Sequence, residues 1–92
     1  MPSADSEWGE PEWSKQADRQ YRFWQQHEPR IADRIDELLD SVIADPFSGI
    51  GKPKYLNGYW SRRITQGHRL FYKVAKGGVL IVSCYGHDLG GD

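Results

Sequence analysis

Ninety-two residues, 38% hydrophobic and 27% charged with a net charge of −1, fit one globular domain and leave no room for a second. No apolar run approaches the ~20 residues a membrane span needs, and Met1–Glu7 has neither a basic end nor an apolar stretch, so no secretory signal is expected. Cys84 is the single cysteine, which excludes an intrachain disulfide and a Cys-rich zinc site and points to a reducing, cytoplasmic setting.

Residues 1–12, with Pro2, Gly9 and Pro11, read as a loose leader that ends at most in a short edge strand, because Pro11 bars a central one. Ser14 is placed to cap a helix over 15–26, with Ala17, Tyr21 and Trp24 on one face. Pro29 suits the first turn of a second helix. Ile31, Ile35, Leu38, Leu39, Val42 and Ile43 form its apolar stripe, Arg30, Asp33, Arg34, Glu37 and Asp40 lie opposite, and Pro46 ends it. The short break makes the pair an antiparallel helical hairpin.

After Pro46 the apolar period changes from 3.6 to 2. Residues 48–54 read as a loop. Strands are expected over 58–65, 68–75 and 79–85, with Gly67 and Gly77-Gly78 in the turns. Trp60 and Ile64, then Leu70, Tyr72 and Val74, alternate with polar or charged neighbours and mark the core face. The third run is apolar nearly throughout and should be interior. The fold class is therefore α+β: a two-helix hairpin packed on a small antiparallel β-sheet.

Charge is unevenly spread. Residues 1–45 carry eleven acids and five bases, whereas residues 46–87 carry seven bases and no acid. Such a stretch suits phosphate or an acidic partner. Strand alternation puts Arg63 and Arg69 on the open face, where two guanidiniums can fork around one phosphate. His87, just past the last strand, can move a proton near neutral pH. Lys52 and Lys54 can grip a nucleic-acid backbone, and Tyr59, Phe71 and Tyr85 can stack on unpaired bases. The lysine loop is not a P-loop, because Pro53 stands where that motif has Ser or Thr. His68 reads as structural, and His27 is assigned no role.

Several runs carry a family resemblance: Gly58-Tyr59-Trp60-Ser61-Arg62-Arg63-Ile64-Thr65, then His68-Arg69-Leu70 and Tyr72, with Phe23-Trp24-Gln25, Asp45-Pro46-Phe47, Gly49 and Gly51-Lys52-Pro53. From about Trp13 to His87 the chain resembles the YoeB branch of the RelE-like toxins of type II toxin–antitoxin systems. The resemblance implies a RelE-like, microbial-RNase-like toxin fold occupying residues 13–88, with 89–92 a short tail. It implies a ribosome-dependent mRNA endoribonuclease, in which a ribose 2′-OH attacks the adjacent phosphate without a metal or cofactor. It also implies a YefM-like antitoxin as partner, and toxin homodimers.

Carried over by position, Arg63 and Arg69 match the family's phosphate-side arginines and His87 its catalytic histidine. Lys52, Lys73 and Tyr85 are assigned to RNA binding. Two positions depart. Lys54 stands where the family has a general-base Glu, and Asp88 where it has a catalytic Tyr. Lys54 then serves as an electrostatic stabiliser or as a base with a lowered pKa, and Asp88 as a displaced base or as an orienter of His87. The expectation is an enzyme with reduced rate. The alternative is a degenerate toxin that binds its antitoxin without cutting RNA and acts in an autoregulating DNA-binding complex.

Overall fold

The computed structural model describes residues 8–87. The elements run β1 (Glu12–Trp13), α1 (Lys15–His27), α2 (Pro29–Ala44), β2 (Lys54–Leu56), β3 (Tyr59–Thr65), β4 (His68–Ala75) and β5 (Gly78–Ser83). The strands form one sheet in the order β1-β5-β4-β3-β2. Both helices pack on one face of it, α1 against β5 and α2 against β3.

Ser14 caps α1 as expected, accepting a hydrogen bond from the Ala17 N–H at 3.0 Å. It also ties the helix to the sheet. Its hydroxyl donates to Val82 O at 2.9 Å and its N–H to Ile81 O at 2.9 Å. One residue, Glu28, separates the helices, and Pro29 opens α2. The apolar stripe of α2 buries Ile35, Leu38 and Val42 against Ile64, Leu70, Tyr72 and Ile81 of the sheet. Each fully buried Leu or Ile contributes about 1.5–3 kcal/mol relative to exposure.

The sheet departs from the sequence expectation in three ways. It is mixed rather than wholly antiparallel, because β1 pairs in parallel with β5. The helical hairpin crosses the sheet between β1 and the remaining strands, so the leader strand meets the last strand side by side. That contact places β5 inside the sheet, as its apolar composition predicts, although Leu80 of β5 is exposed. The second departure is β2, which begins at Lys54, inside the expected loop, and pairs antiparallel with β3. All three of its residues are exposed, so it has no burial alternation to read. The third is the end of β5 at Ser83, where a register shift beside Phe71 and Tyr72 precedes an irregular turn through residues 85–87.

Replacing Ser14 by Ala removes the cap and the tie to Val82 together. The expected loss is about 1–2 kcal/mol. That lowers the melting temperature by roughly 4–8 °C per kcal/mol, as read by thermal denaturation followed by circular dichroism. An unchanged melting temperature would show that α1 does not depend on this anchor.

Candidate active site on the open face of the sheet

The site begins with a residue that is not in it. Arg62 shares strand parity with Trp60 and Ile64, and its side chain is fully buried on the helix side. A guanidinium has five N–H donors, and here all five are used. Nε donates to Tyr72 Oη at 2.9 Å, Nη1 to Ser41 Oγ at 2.7 Å and Ile50 O at 3.1 Å, and Nη2 to Asp45 O at 2.7 Å and Ser48 O at 2.9 Å. Tyr72 Oη in turn donates to Pro46 O at 2.7 Å. The loop after α2 is thus sewn to the sheet from beneath. Its first turn is closed by Asp45, whose carboxylate accepts from the Phe47 N–H at 2.9 Å and the Ser48 hydroxyl at 2.9 Å. The Phe47 hydrogen bond, then that of Ser48, holds the Asp45 carboxyl below its ordinary pKa.

The end of that loop meets the open face. Gly51 O accepts the Arg63 N–H at 2.7 Å, and Lys52 follows in a left-handed conformation with φ 54°. Lys54, on β2, lies directly opposite Ser61 of β3, which lies opposite Phe71 of β4. One step along, Arg63 and Arg69 are direct cross-strand partners. Side chains so paired have Cβ atoms about 4.5–5.5 Å apart, and like charges there repel. The expected shared face of Arg63 and Arg69 is therefore present, with Lys54 on the same side.

Arg69 is held in place by its neighbours. Its Nε donates to Ser61 Oγ at 3.0 Å, and its Nη2 approaches Ser61 O at 3.4 Å and Lys52 O at 3.5 Å. Partial burial, and then the charge of Arg63, lower its pKa from the ordinary arginine value. Among the described residues no carboxylate bridges either arginine, and the ion pairs Arg22–Asp18 and Arg34–Glu37 both lie on the helices. Two guanidiniums so placed can take an anion between their forks.

The other expected residues are distributed around it. His87 is exposed and follows Gly86, whose carbonyl accepts the Arg69 N–H at 2.8 Å, so the turn through Gly86 lies beside Arg69. Tyr85 stacks on Trp24 with centroids 5.1 Å apart and planes at 18°, and also meets Phe23 and His68. Lys73 stands four residues along β4 from Arg69, with its ammonium 5.1 Å from the Tyr59 ring centroid, away from the arginine pair. Asp88 lies outside the described residues. No group of three or more His, Cys, Asp or Glu among the described residues could hold a metal ion.

Sequence reading passed over Arg62 and Ser61. The alternation that put Trp60 and Ile64 in the core also put Arg62 there, and that parity was the available signal. Replacing Arg62 by Met should destabilise the fold by on the order of 3 kcal/mol or more, because several buried oxygens lose their donor. Urea unfolding measures this, and a loss below about 1 kcal/mol would show that the network is replaceable.

Comparison with known proteins is consistent across sequence and structure. The family described as YoeB-like toxin of bacterial type II toxin–antitoxin system matches residues 13–88. Toxin YoeB of Escherichia coli K12 is 42% identical over 79 residues, covering 82% of this chain and 94% of that protein. The YoeB/ParE toxin from Agrobacterium tumefaciens superimposes with a TM-score of 0.81 at 33% identity, over 86% of this chain and 99% of that one. YoeB from Staphylococcus aureus, solved as a dimer and in complex with YefM, gives 0.76 at 39% identity, over 84% and 94% of the two chains. With a family match across residues 13–88 and a relative 42% identical over 79 residues, the chain belongs to the YoeB-like toxins of bacterial type II toxin–antitoxin systems.

Proposed function

We propose that the chain is an endoribonuclease that cleaves mRNA on the ribosome, and that its open sheet face holds the scissile phosphate. The observation that carries this is the cross-strand pair Arg63 and Arg69, two like charges held together with no carboxylate among the described residues bridging them. Such an arrangement is repulsive alone and becomes favourable when a phosphate sits between the forks.

In the reaction the ribose O2′ bonds to phosphorus, the P–O5′ bond breaks, and a 2′,3′-cyclic phosphate and a 5′-hydroxyl remain. Arg63 and Arg69 stabilise the charge that builds on the non-bridging oxygens. Lys54, exposed on the adjacent strand, adds positive charge to the same transition state. His87 delivers the proton to the departing O5′. The 2′ proton has no carboxylate acceptor at the family's Glu position, where Lys54 stands, so it leaves to solvent or to Asp88 and the rate is reduced. Lys52 and Lys73 hold flanking backbone phosphates, and Tyr85 stacks a neighbouring base.

The reading is tested by single-turnover cleavage on mRNA-programmed ribosomes. Arg69→Ala should slow cleavage by about 10²–10³-fold and His87→Ala by about 10²–10⁴-fold. Lys54→Glu combined with Asp88→Tyr should speed it. If His87→Ala and the double substitution both leave the rate unchanged, the catalytic reading fails. A non-catalytic toxin that binds its antitoxin and regulates DNA then takes its place, a reading that the Lys54 departure favours.

The same face would be covered in the inactive state. The Staphylococcus aureus relative is complexed with YefM, and here Lys54, Arg63, Arg69 and Lys73 surround Tyr59, Phe71 and the exposed Leu56 and Leu80. A YefM-like antitoxin with an acidic, amphipathic segment suits that mixture. The relative's dimer makes a homodimer the reading for the free toxin. No helix among the described residues is long and apolar enough to cross a membrane. Co-expression with the neighbouring gene product, followed by hydrogen exchange, should show β4 around Arg69 protected at least tenfold in the complex. Unchanged exchange there would place the antitoxin elsewhere.

A further inference from the structure

His68 opens β4, one residue before Arg69, yet it faces the other side of the sheet. It shares parity with the buried Leu70 and Tyr72, and the Trp24 ring of α1 packs on its imidazole with centroids 4.8 Å apart. His68 therefore does not reach a phosphate held by Arg69. Its Nδ1 is nevertheless committed, accepting the Gly86 N–H at 2.8 Å.

The consequence lies in the turn that carries His87. Besides Tyr85 O, which Ser83 Oγ approaches at 3.4 Å, four of its backbone groups are fixed. Cys84 N–H donates to Gln20 Oε1 at 2.7 Å, and Cys84 O accepts Trp24 Nε1–H at 2.9 Å. Gly86 O accepts the Arg69 N–H at 2.8 Å, and Gly86 N–H is taken by His68. Gly86 sits at φ 84°, a left-handed conformation that glycine adopts without strain. Of the four bonds, the two on Gly86 act on the residue next to His87, and only the His68 bond there comes from a side chain. Tyr85 closes the arrangement by stacking on Trp24 and meeting the His68 ring at 4.9 Å.

We propose that His68 is a positioning residue for His87, acting through its hydrogen bond to the Gly86 N–H. The proposal rests on the reading of His87 as the general acid. Clamping both the N–H and the C=O of Gly86 to consecutive residues of β4 fixes where the chain leaves the sheet. It thereby fixes the imidazole of His87 relative to Arg69. A displacement of about 1 Å in a reacting group can cost on the order of 10²-fold in rate, so a single bond at this point has leverage.

Two substitutions separate the acceptor from the packing. His68→Phe keeps a ring against Trp24 and Tyr85 and deletes the acceptor. His68→Asn gives up the ring and puts Oδ1 where Nδ1 was. Amide hydrogen exchange at Gly86 and single-turnover cleavage on programmed ribosomes are read for both. His68→Phe should raise Gly86 exchange at least tenfold and lower the maximal rate about 10–10²-fold, with the half-saturating toxin concentration changed less than about twofold. His68→Asn should restore most of both. The wild-type protein alone tests the bond: a Gly86 amide that exchanges at the unprotected rate overturns the proposal, whether or not the variants fold. Cleavage by His68→Phe at the wild-type rate, or His68→Asn failing as badly as His68→Phe, also overturns it. His87→Ala run in parallel isolates the underlying reading. A wild-type rate there removes His87 from the chemistry and the proposal with it, whereas a slow rate with unprotected Gly86 removes only the role of His68.

Discussion

The buried guanidinium of Arg62 is the constraint from which the site follows. A charged group deep in a protein is costly unless every hydrogen-bonding site is met. Arg62 meets all five with uncharged oxygens rather than with a carboxylate. Three of those oxygens are backbone carbonyls of residues 45, 48 and 50, so the loop cannot move without orphaning the charge. Because the loop is fixed, Gly51 meets the Arg63 N–H and Lys52 meets Arg69, and β2 starts where Lys54 faces Ser61. Structural specificity at Arg62 is thereby converted into position at Arg63 and Arg69.

Two adjacent arginines thus have opposite tasks, and strand alternation alone divides them. Arg62 points into the core and is saturated by hydrogen bonds. Arg63 points out, across from Arg69, where no carboxylate of the described residues pairs with either charge. Lysine would not substitute for Arg62, because its three donors on a flexible stem do not match the five oxygens inside. The stretch from 46 to 87 that carries the outer pair holds no acid of its own. The cost is repulsion and partial desolvation at Arg69, which a bound phosphate would relieve.

Much of this was legible in the sequence, for physical reasons that vary with the element. The helices could be read because α2 has a wide apolar stripe and α1 a serine cap. The Arg63–Arg69 pairing could be read because period-2 alternation is unforgiving: a one-residue slip would bury both. Arg62 is easily passed over in the sequence because charge argues for the surface, and only its parity with Trp60 and Ile64 argues for the core. Strand β2 was missed since an exposed edge strand leaves no burial pattern. A local signal was present in Asn57-Gly58, whose φ values of 52° and 87° are those a two-residue hairpin turn demands. The return of His87 to Arg69 was not legible, for it depends on contacts from Gln20, Trp24 and His68 that are far away in sequence.

The division of labour between Arg62 and its neighbours can be observed directly by NMR of the arginine Nε–H groups in the full chain. The ligand is a short RNA carrying 2′-O-methyl at the scissile position, which binds and cannot be cut. Arg62 Nε–H should be slowly exchanging before addition and unmoved afterwards, while the Arg63 and Arg69 signals shift together with one affinity that weakens as salt is raised. A shift confined to the lysines, with Arg63 and Arg69 unmoved, or an Arg62 Nε–H in fast exchange with water, would contradict the account.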